Sequence, residues 1–79
     1  MNNGIDIIKK ARKEKYAIPQ FNINNLEWTK YILQESNINM SPVILGVSES
    51  AINYMGGYNV VYKLVDTMIK DLGIKIPII

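Results

Sequence analysis

Residues 17–30 read AIPQFNINNLEWTK, and the way this stretch divides decides the fold. A short apolar segment runs directly into Asn22, Asn24 and Asn25, and then into a helical pattern. Leu26, Thr29, Ile32, Leu33 and Ser36 recur at threes and fours, which predicts a helix over residues 25–38. Asn24 is the expected N-cap, with Glu27 in the first turn. Glu27 and Lys30, three apart, predict a small surface pairing. Upstream, YAIPQF (residues 16–21) reads as a strand, although Pro19 lacks the N–H that a fully paired interior position requires. Downstream, NINMSP (residues 37–42) ends the helix, because Ser41 precedes a proline and is biased toward extended geometry.

The same reading extends in both directions. Residues 4–14 form a predicted helix: Ile5, Ile8 and Ala11 recur at threes beside Ile7, Asn3 is a plausible N-cap, and Asp6 follows it as a loose capping box. KKARKEK (residues 9–15) places five cations at the end of that helix, where they complement the macrodipole. PVILGV (residues 42–47) is a continuous apolar run suited to a strand buried on both faces. SESAINYMGGYN (residues 48–59) reads as a helical turn broken at Gly56-Gly57. The clearest helix is residues 60–73, where Val60, Leu64, Val65, Met68, Ile69 and Leu72 make one stripe closed by Gly73. IPII (residues 76–79) begins another strand.

The predicted order is helix-strand-helix-strand-helix-strand, an α/β pattern. Helical connections between like-oriented strands point to a parallel sheet. Parallel strands need cover on both faces, and three strands with three helices supply little. Residues 1–79 are therefore read as a partial domain, the N-terminal portion of a larger α/β fold. Taken alone, it is expected to be poorly soluble or loosely packed.

Composition bounds the chemistry. The chain has 79 residues, 48% hydrophobic, with mean hydropathy near zero, which is globular. A net charge of +2 is too balanced to imply nucleic acid. There is no cysteine and no histidine, which excludes disulfides, thiolate nucleophiles, an imidazole base and a conventional protein zinc site built from this chain alone. No secretory signal is visible, and no apolar run approaches the roughly 18 residues that span a bilayer. The expectation is a cytoplasmic protein without a membrane or nucleic-acid partner. Glu27, Glu35, Glu49, Asp66 and Asp71 suggest no carboxylate pair. Trp28 and Tyr31 suit packing or a partner interface better than base stacking, and Gly56-Gly57 does not match a phosphate loop.

In parallel α/β folds, ligands bind at the carboxyl ends of the strands. Two such ends are visible, Phe21-Asn22-Ile23-Asn24 and Gly46-Val47-Ser48-Glu49-Ser50. Asn22 and Ser48 are the candidate donors to a phosphorylated or hydroxylated ligand. The alternatives are local: Asn22 satisfying a neighbouring backbone group, and Ser48 capping the following segment.

QFNINNLEWTKYIL, then SPVILGVSESAINYMGGY, resembles the N-terminal part of the class II, zinc-dependent fructose-bisphosphate aldolases, with similarity from KYAIPQFN to IPII. The resemblance implies an eight-stranded β/α (TIM) barrel, of which residues 1–79 hold a leading helix, two βα units and the third strand. A typical barrel has roughly 250 residues, so about a third is present. It implies reversible cleavage of fructose 1,6-bisphosphate to dihydroxyacetone phosphate and glyceraldehyde 3-phosphate, a step of glycolysis and gluconeogenesis, with zinc as the family's Lewis acid. Asn22 and Ser48 match substrate-contacting positions. The family's catalytic aspartate and zinc-binding histidines have no counterpart, so no catalytic or metal residue is assigned. The chain alone is expected to bind no zinc and to turn over no substrate, while the complete enzyme is expected to be a homo-oligomer. Tagatose-bisphosphate aldolases share the FN and SPVIL elements and provide one alternative. A non-catalytic oligomerising or binding module and a truncated reading frame are the others.

Overall fold

The computed structural model describes residues 1–79 as α1 (Gly4–Glu14), β1 (Gln20–Asn22), α2 (Leu26–Ile38), β2 (Ile44–Gly46), α3 (Glu49–Met55) and α4 (Tyr58–Asp71). The two strands pair in parallel, with Gln20 opposite Ile44, Phe21 opposite Leu45 and Asn22 opposite Gly46. The result is a small α/β unit of four helices and a two-stranded parallel sheet. The last apolar residues extend the pattern without completing a strand. Val43 makes an isolated parallel bridge to Ile78, supported by Ile79 N–H donating to Val43 O (3.0 Å) and Leu45 N–H donating to Ile79 O (2.8 Å).

Several expectations move. The first strand is residues 20–22 rather than 16–21. Pro19 has no N–H to give, and it contributes only its carbonyl, which accepts from Ile44 N–H at 2.9 Å. The second strand is Ile44–Gly46 rather than 42–47. The helical turn expected over residues 48–59 is a short helix in its own right, α3, broken from α4 at the expected glycines, Gly56 (φ 117°) and Gly57 (φ 124°), which turn the chain through a conformation that L-residues resist. That turn also sets the start of α4 at Tyr58 rather than Val60. The cap of α2 is Asn25, not Asn24: Asn25 is extended (φ −156°, ψ 175°) and its side chain accepts from Trp28 N–H at 2.8 Å. Glu27 and Lys30 form no ion pair; the two present are Lys10–Glu14 and Lys70–Asp66. α1 keeps its predicted bounds and its Asn3 cap, which accepts from Ile5 N–H at 2.9 Å.

The core lies on one side of the sheet. Ile23, Ile52, Val61 and Val65 form one buried cluster, and Leu33, Val43, Ile76 and Ile78 form a second. Leu45 and Ile32 pack against both and join them. Each fully buried side chain of this size contributes about 1.5–3 kcal/mol. Thr29, fully buried on α2, satisfies its hydroxyl by donating to Asn25 O at 2.8 Å. Leu45 faces these clusters and side chains alternate along a strand, so Gln20, Asn22, Ile44 and Gly46 share the opposite face. Asn2 ties the amino terminus to the far edge of the sheet. Its N–H donates to Ile78 O (2.8 Å), and its side-chain oxygen accepts from Ile78 N–H (3.0 Å).

Candidate functional site

The two predicted polar residues come together. Asn22 and Ser48 line one open cleft of about 580 Å³ at the carboxyl ends of β1 and β2, with Asn24, Trp28, Ser50 and Tyr54 around them. The parallel register produces this directly: pairing Asn22 with Gly46 brings the residues just after both strands to the same edge.

Each side chain is held by its own neighbours. Asn22 follows Gln20 by two residues, so both project from the same face of the strand, and the Gln20 side-chain N–H donates to Asn22 Oδ1 at 2.9 Å. The Asn22 carbonyl oxygen is thereby occupied, and its amide N–H groups remain to donate. Ser48 is the N-cap of α3, its Oγ accepting from Ala51 N–H at 3.1 Å. That capping role was the local alternative for Ser48, and it is realised. It does not consume the hydroxyl, since a serine cap accepts through its oxygen and keeps its O–H to give. For Asn22 the expected local partner was a backbone group; the partner is instead the Gln20 side chain.

The cleft therefore offers amide and hydroxyl donors without a charged side chain among its lining residues. This chemistry suits an oxygen-rich, neutral or anionic ligand. It does not suit a metal: no three His, Cys, Asp or Glu residues come together, and the sequence has neither imidazole nor thiol. The residues present do not fit a zinc site. The perturbed ionisations lie elsewhere, on α4, where the hydrogen bond from Lys70 Nζ (3.0 Å) holds the Asp66 carboxyl below its ordinary range and Asp66 in turn raises the Lys70 ammonium. No helix is long and apolar enough to cross a membrane.

Sequence reasoning placed Ser50 at the second strand's exit without giving it a role, missed Gln20 and Tyr54 as neighbours of the site, and assigned Trp28 to packing or a partner interface. The i, i+2 spacing of Gln20 and Asn22 was a usable signal. So was the spacing of Ser50 and Tyr54, four apart on α3 and hence on one helix face. Trp28 lines the cleft from the first turn of α2, beside the Asn25 cap whose side chain accepts from its N–H.

Residues 2–79 match the family described as fructose-bisphosphate aldolase class-II. The chain is 48% identical over 73 residues to fructose-bisphosphate aldolase of Geobacillus stearothermophilus, covering 92% of this chain and 25% of that protein. It is 49% identical over 72 residues to fructose-bisphosphate aldolase of Mycoplasma genitalium, covering 91% and 25%. It is 40% identical over 74 residues to 6-phospho-5-dehydro-2-deoxy-D-gluconate aldolase of Bacillus subtilis strain 168, covering 94% and 26%. The chain thus spans about a quarter of the length of the curated relatives it matches.

Proposed function

Because the chain belongs to the class-II fructose-bisphosphate aldolase family, we propose that residues 1–79 supply the first βα units of an aldolase barrel. In this reading the complete polypeptide reversibly cleaves fructose 1,6-bisphosphate to dihydroxyacetone phosphate and glyceraldehyde 3-phosphate. Asn22 and Ser48 donate hydrogen bonds to oxygen atoms of the sugar bisphosphate and orient it. The observation that carries the reading is the shared cleft: two uncharged donors, from the ends of two adjacent parallel strands, face one opening. The parallel β1–β2 pair joined through α2, followed by the parallel Val43–Ile78 bridge, supports an eight-stranded barrel as the complete architecture. Zinc, the catalytic acid–base groups and the remaining substrate contacts belong to residues outside 1–79. A cytoplasmic homo-oligomer completes the proposal.

The fructose-type reading leads because the relatives bearing that name, those of Geobacillus stearothermophilus and Mycoplasma genitalium among them, are 48% or 49% identical, against 40% for the deoxygluconate aldolase. All of these names describe a phosphorylated, oxygen-rich carbon chain, which matches the donor chemistry of the cleft.

Retro-aldol assays test it. The 79-residue chain with added zinc is expected to show no turnover above a metal-only blank. In the complete polypeptide carrying these residues, Asn22→Ala is expected to raise KM for fructose 1,6-bisphosphate about tenfold, the loss of roughly one hydrogen bond to a charged ligand. Ser48→Asp keeps an N-cap of equal quality while replacing a donor with an anion, so it is expected to weaken substrate binding without loss of fold. An unchanged KM in both variants overturns the assignment of the cleft.

A further inference from the structure

We propose that Gln20 is a positioning residue for the substrate site: it fixes which end of the Asn22 amide faces the ligand, and Gly46 exists to leave it room. The inference rests on the reading that Asn22 contacts substrate.

A free asparagine side chain presents either its carbonyl oxygen or its NH2 group, since rotation about χ2 exchanges them at little cost. Only the NH2 end can donate to a phosphate or hydroxyl oxygen; the carbonyl end would repel an anion. The Gln20 side-chain N–H, donating to Asn22 Oδ1 at 2.9 Å, removes that ambiguity. With Oδ1 engaged along the strand, the NH2 group is the end left for the cleft that Asn22 lines. The bond is possible only because the neighbouring strand lacks a side chain where the two amides meet. A Cβ at Gly46, directly opposite Asn22 in register, would lie 1.6 Å from Gln20 Nε2 and 2.9 Å from Asn22 Oδ1. Gly46 has ordinary strand backbone and no positive φ. Clearance, not conformational freedom, is therefore what glycine provides here.

Three residues thus act as a unit. Gly46 opens a space above the sheet, Gln20 fills it with a donor, and Asn22 is held with its own donors outward. Preorganisation of this kind strengthens binding by removing the cost of orienting the amide when ligand arrives.

The test uses residues 1–79 within a complete polypeptide (their own continuation, or the remaining three quarters of the Geobacillus stearothermophilus relative joined after Ile79). Gln20→Ala is expected to raise KM for fructose 1,6-bisphosphate about three- to tenfold with kcat within about twofold, the pattern of lost ground-state orientation. In an Asn22→Ala background the same change is expected to have less than about a twofold effect, because nothing remains to orient. Gln20→Glu is expected to be worse than Gln20→Ala, since an ionised carboxylate only accepts and turns the Asn22 NH2 group toward itself and away from the ligand. That excess is also expected to disappear in the Asn22→Ala background, whereas simple charge repulsion would persist there. Gly46→Ala is expected to reproduce the Gln20→Ala loss and to add little to it in the double variant.

If Asn22→Ala raises KM but Gln20→Ala does not, the positioning role is overturned and the substrate reading stands. If Asn22→Ala leaves KM unchanged, the substrate reading falls, and the hydrogen-bonded unit is judged by a readout independent of turnover. With glutamine side chains labelled with 15N, one Gln20 amide proton is expected to exchange slowly with solvent and to lose that protection in Asn22→Ala. A fast-exchanging Gln20 amide in the parent protein overturns the inference.

Discussion

α1 and α4 carry the same kind of apolar periodicity, yet the fold uses them differently. α4 (Tyr58–Asp71) buries Val61 and Val65 against Ile23 and Ile52, and draws in Met68 and Ile69. α1 (Gly4–Glu14) buries only Ala11, while Ile5 and Ile8 stand 62% and 50% exposed. Both helices form because spacing and caps favour a helix locally. Of the two, only α4 contributes to the buried clusters. α1 is fastened from outside its own stripe, through the Asn2 hydrogen bonds to Ile78 and the approach of Gly4 to Ile79. Amphipathic spacing thus specifies that a helix forms and which face is apolar; it does not specify whether anything meets that face.

The contrast is sharpest at single side chains. Val65→Ala is expected to lower stability by about 2 kcal/mol, from lost transfer free energy and an incompletely filled cavity. Ile8→Ala is expected to stay within about 0.5 kcal/mol. Urea unfolding of the two variants gives the comparison, and equal losses would mean that α1 is packed in solution as α4 is.

The helix ends give a smaller, two-directional test. Both helical segments stop in the left-handed region, α3 at Gly56 (φ 117°) before α4, and α1 at Lys15 (φ 60°). Gly56→Ala adds strain and a Cβ 3.2 Å from Val60 Cγ2; a loss of about 1–2 kcal/mol is expected. Lys15→Gly relieves the strain that a side chain imposes there, and a gain of about 0.5–1 kcal/mol is expected. Melting temperatures that move the same way for both would break this account.

The smallest effect is electrostatic and confined to α4. The folded Asp66 carboxyl lies below its ordinary value of 3.8 because Lys70 donates to it. Its contribution is present above that ordinary value and is lost as pH falls through the lower folded one. The Lys70 share is present below its ordinary value of 10.5 and is lost as pH rises through the raised folded one. Lys70 is exposed and Asp66 only partly covered, so only a small effect is expected. Lys70→Met should lie slightly below the parent in melting temperature at neutral pH, converge with it in acid, and converge in 1 M salt. A gap unchanged by pH would assign the effect to packing.

Much of the helical pattern was legible in advance, for identifiable reasons. Asn3 and the cations after it bounded α1 correctly because every determinant of that helix lies within a few residues. The strand at 20–22 was placed too early, because an apolar run and Pro19 say where extended chain is tolerable, whereas hydrogen-bonding to Ile44 and Gly46 says where it is paired. The cap of α2 was assigned one residue early for a related reason. Three asparagines within four positions are nearly equivalent as sequence, and only the backbone angles reveal which one turns toward Trp28 N–H. Asn22 and Ser48 were identifiable from their places after the strands. The Gln20 bond was hinted at by its two-residue spacing from Asn22, but the Gly46 clearance that makes room for it was not, since it depends on the register between two strands more than twenty residues apart.

The sequence by itself determined three helices and a helical turn, apolar strand segments between them, two polar groups at strand exits and the absence of imidazole and thiol. Local spacing, caps and side-chain chemistry suffice for these, because they act over one or two turns of chain. Tertiary structure decided which apolar faces are covered and that Gly46 lies opposite Asn22 with room for the Gln20 amide, because these depend on groups brought together by parallel pairing across a helical connection, where no local preference reaches.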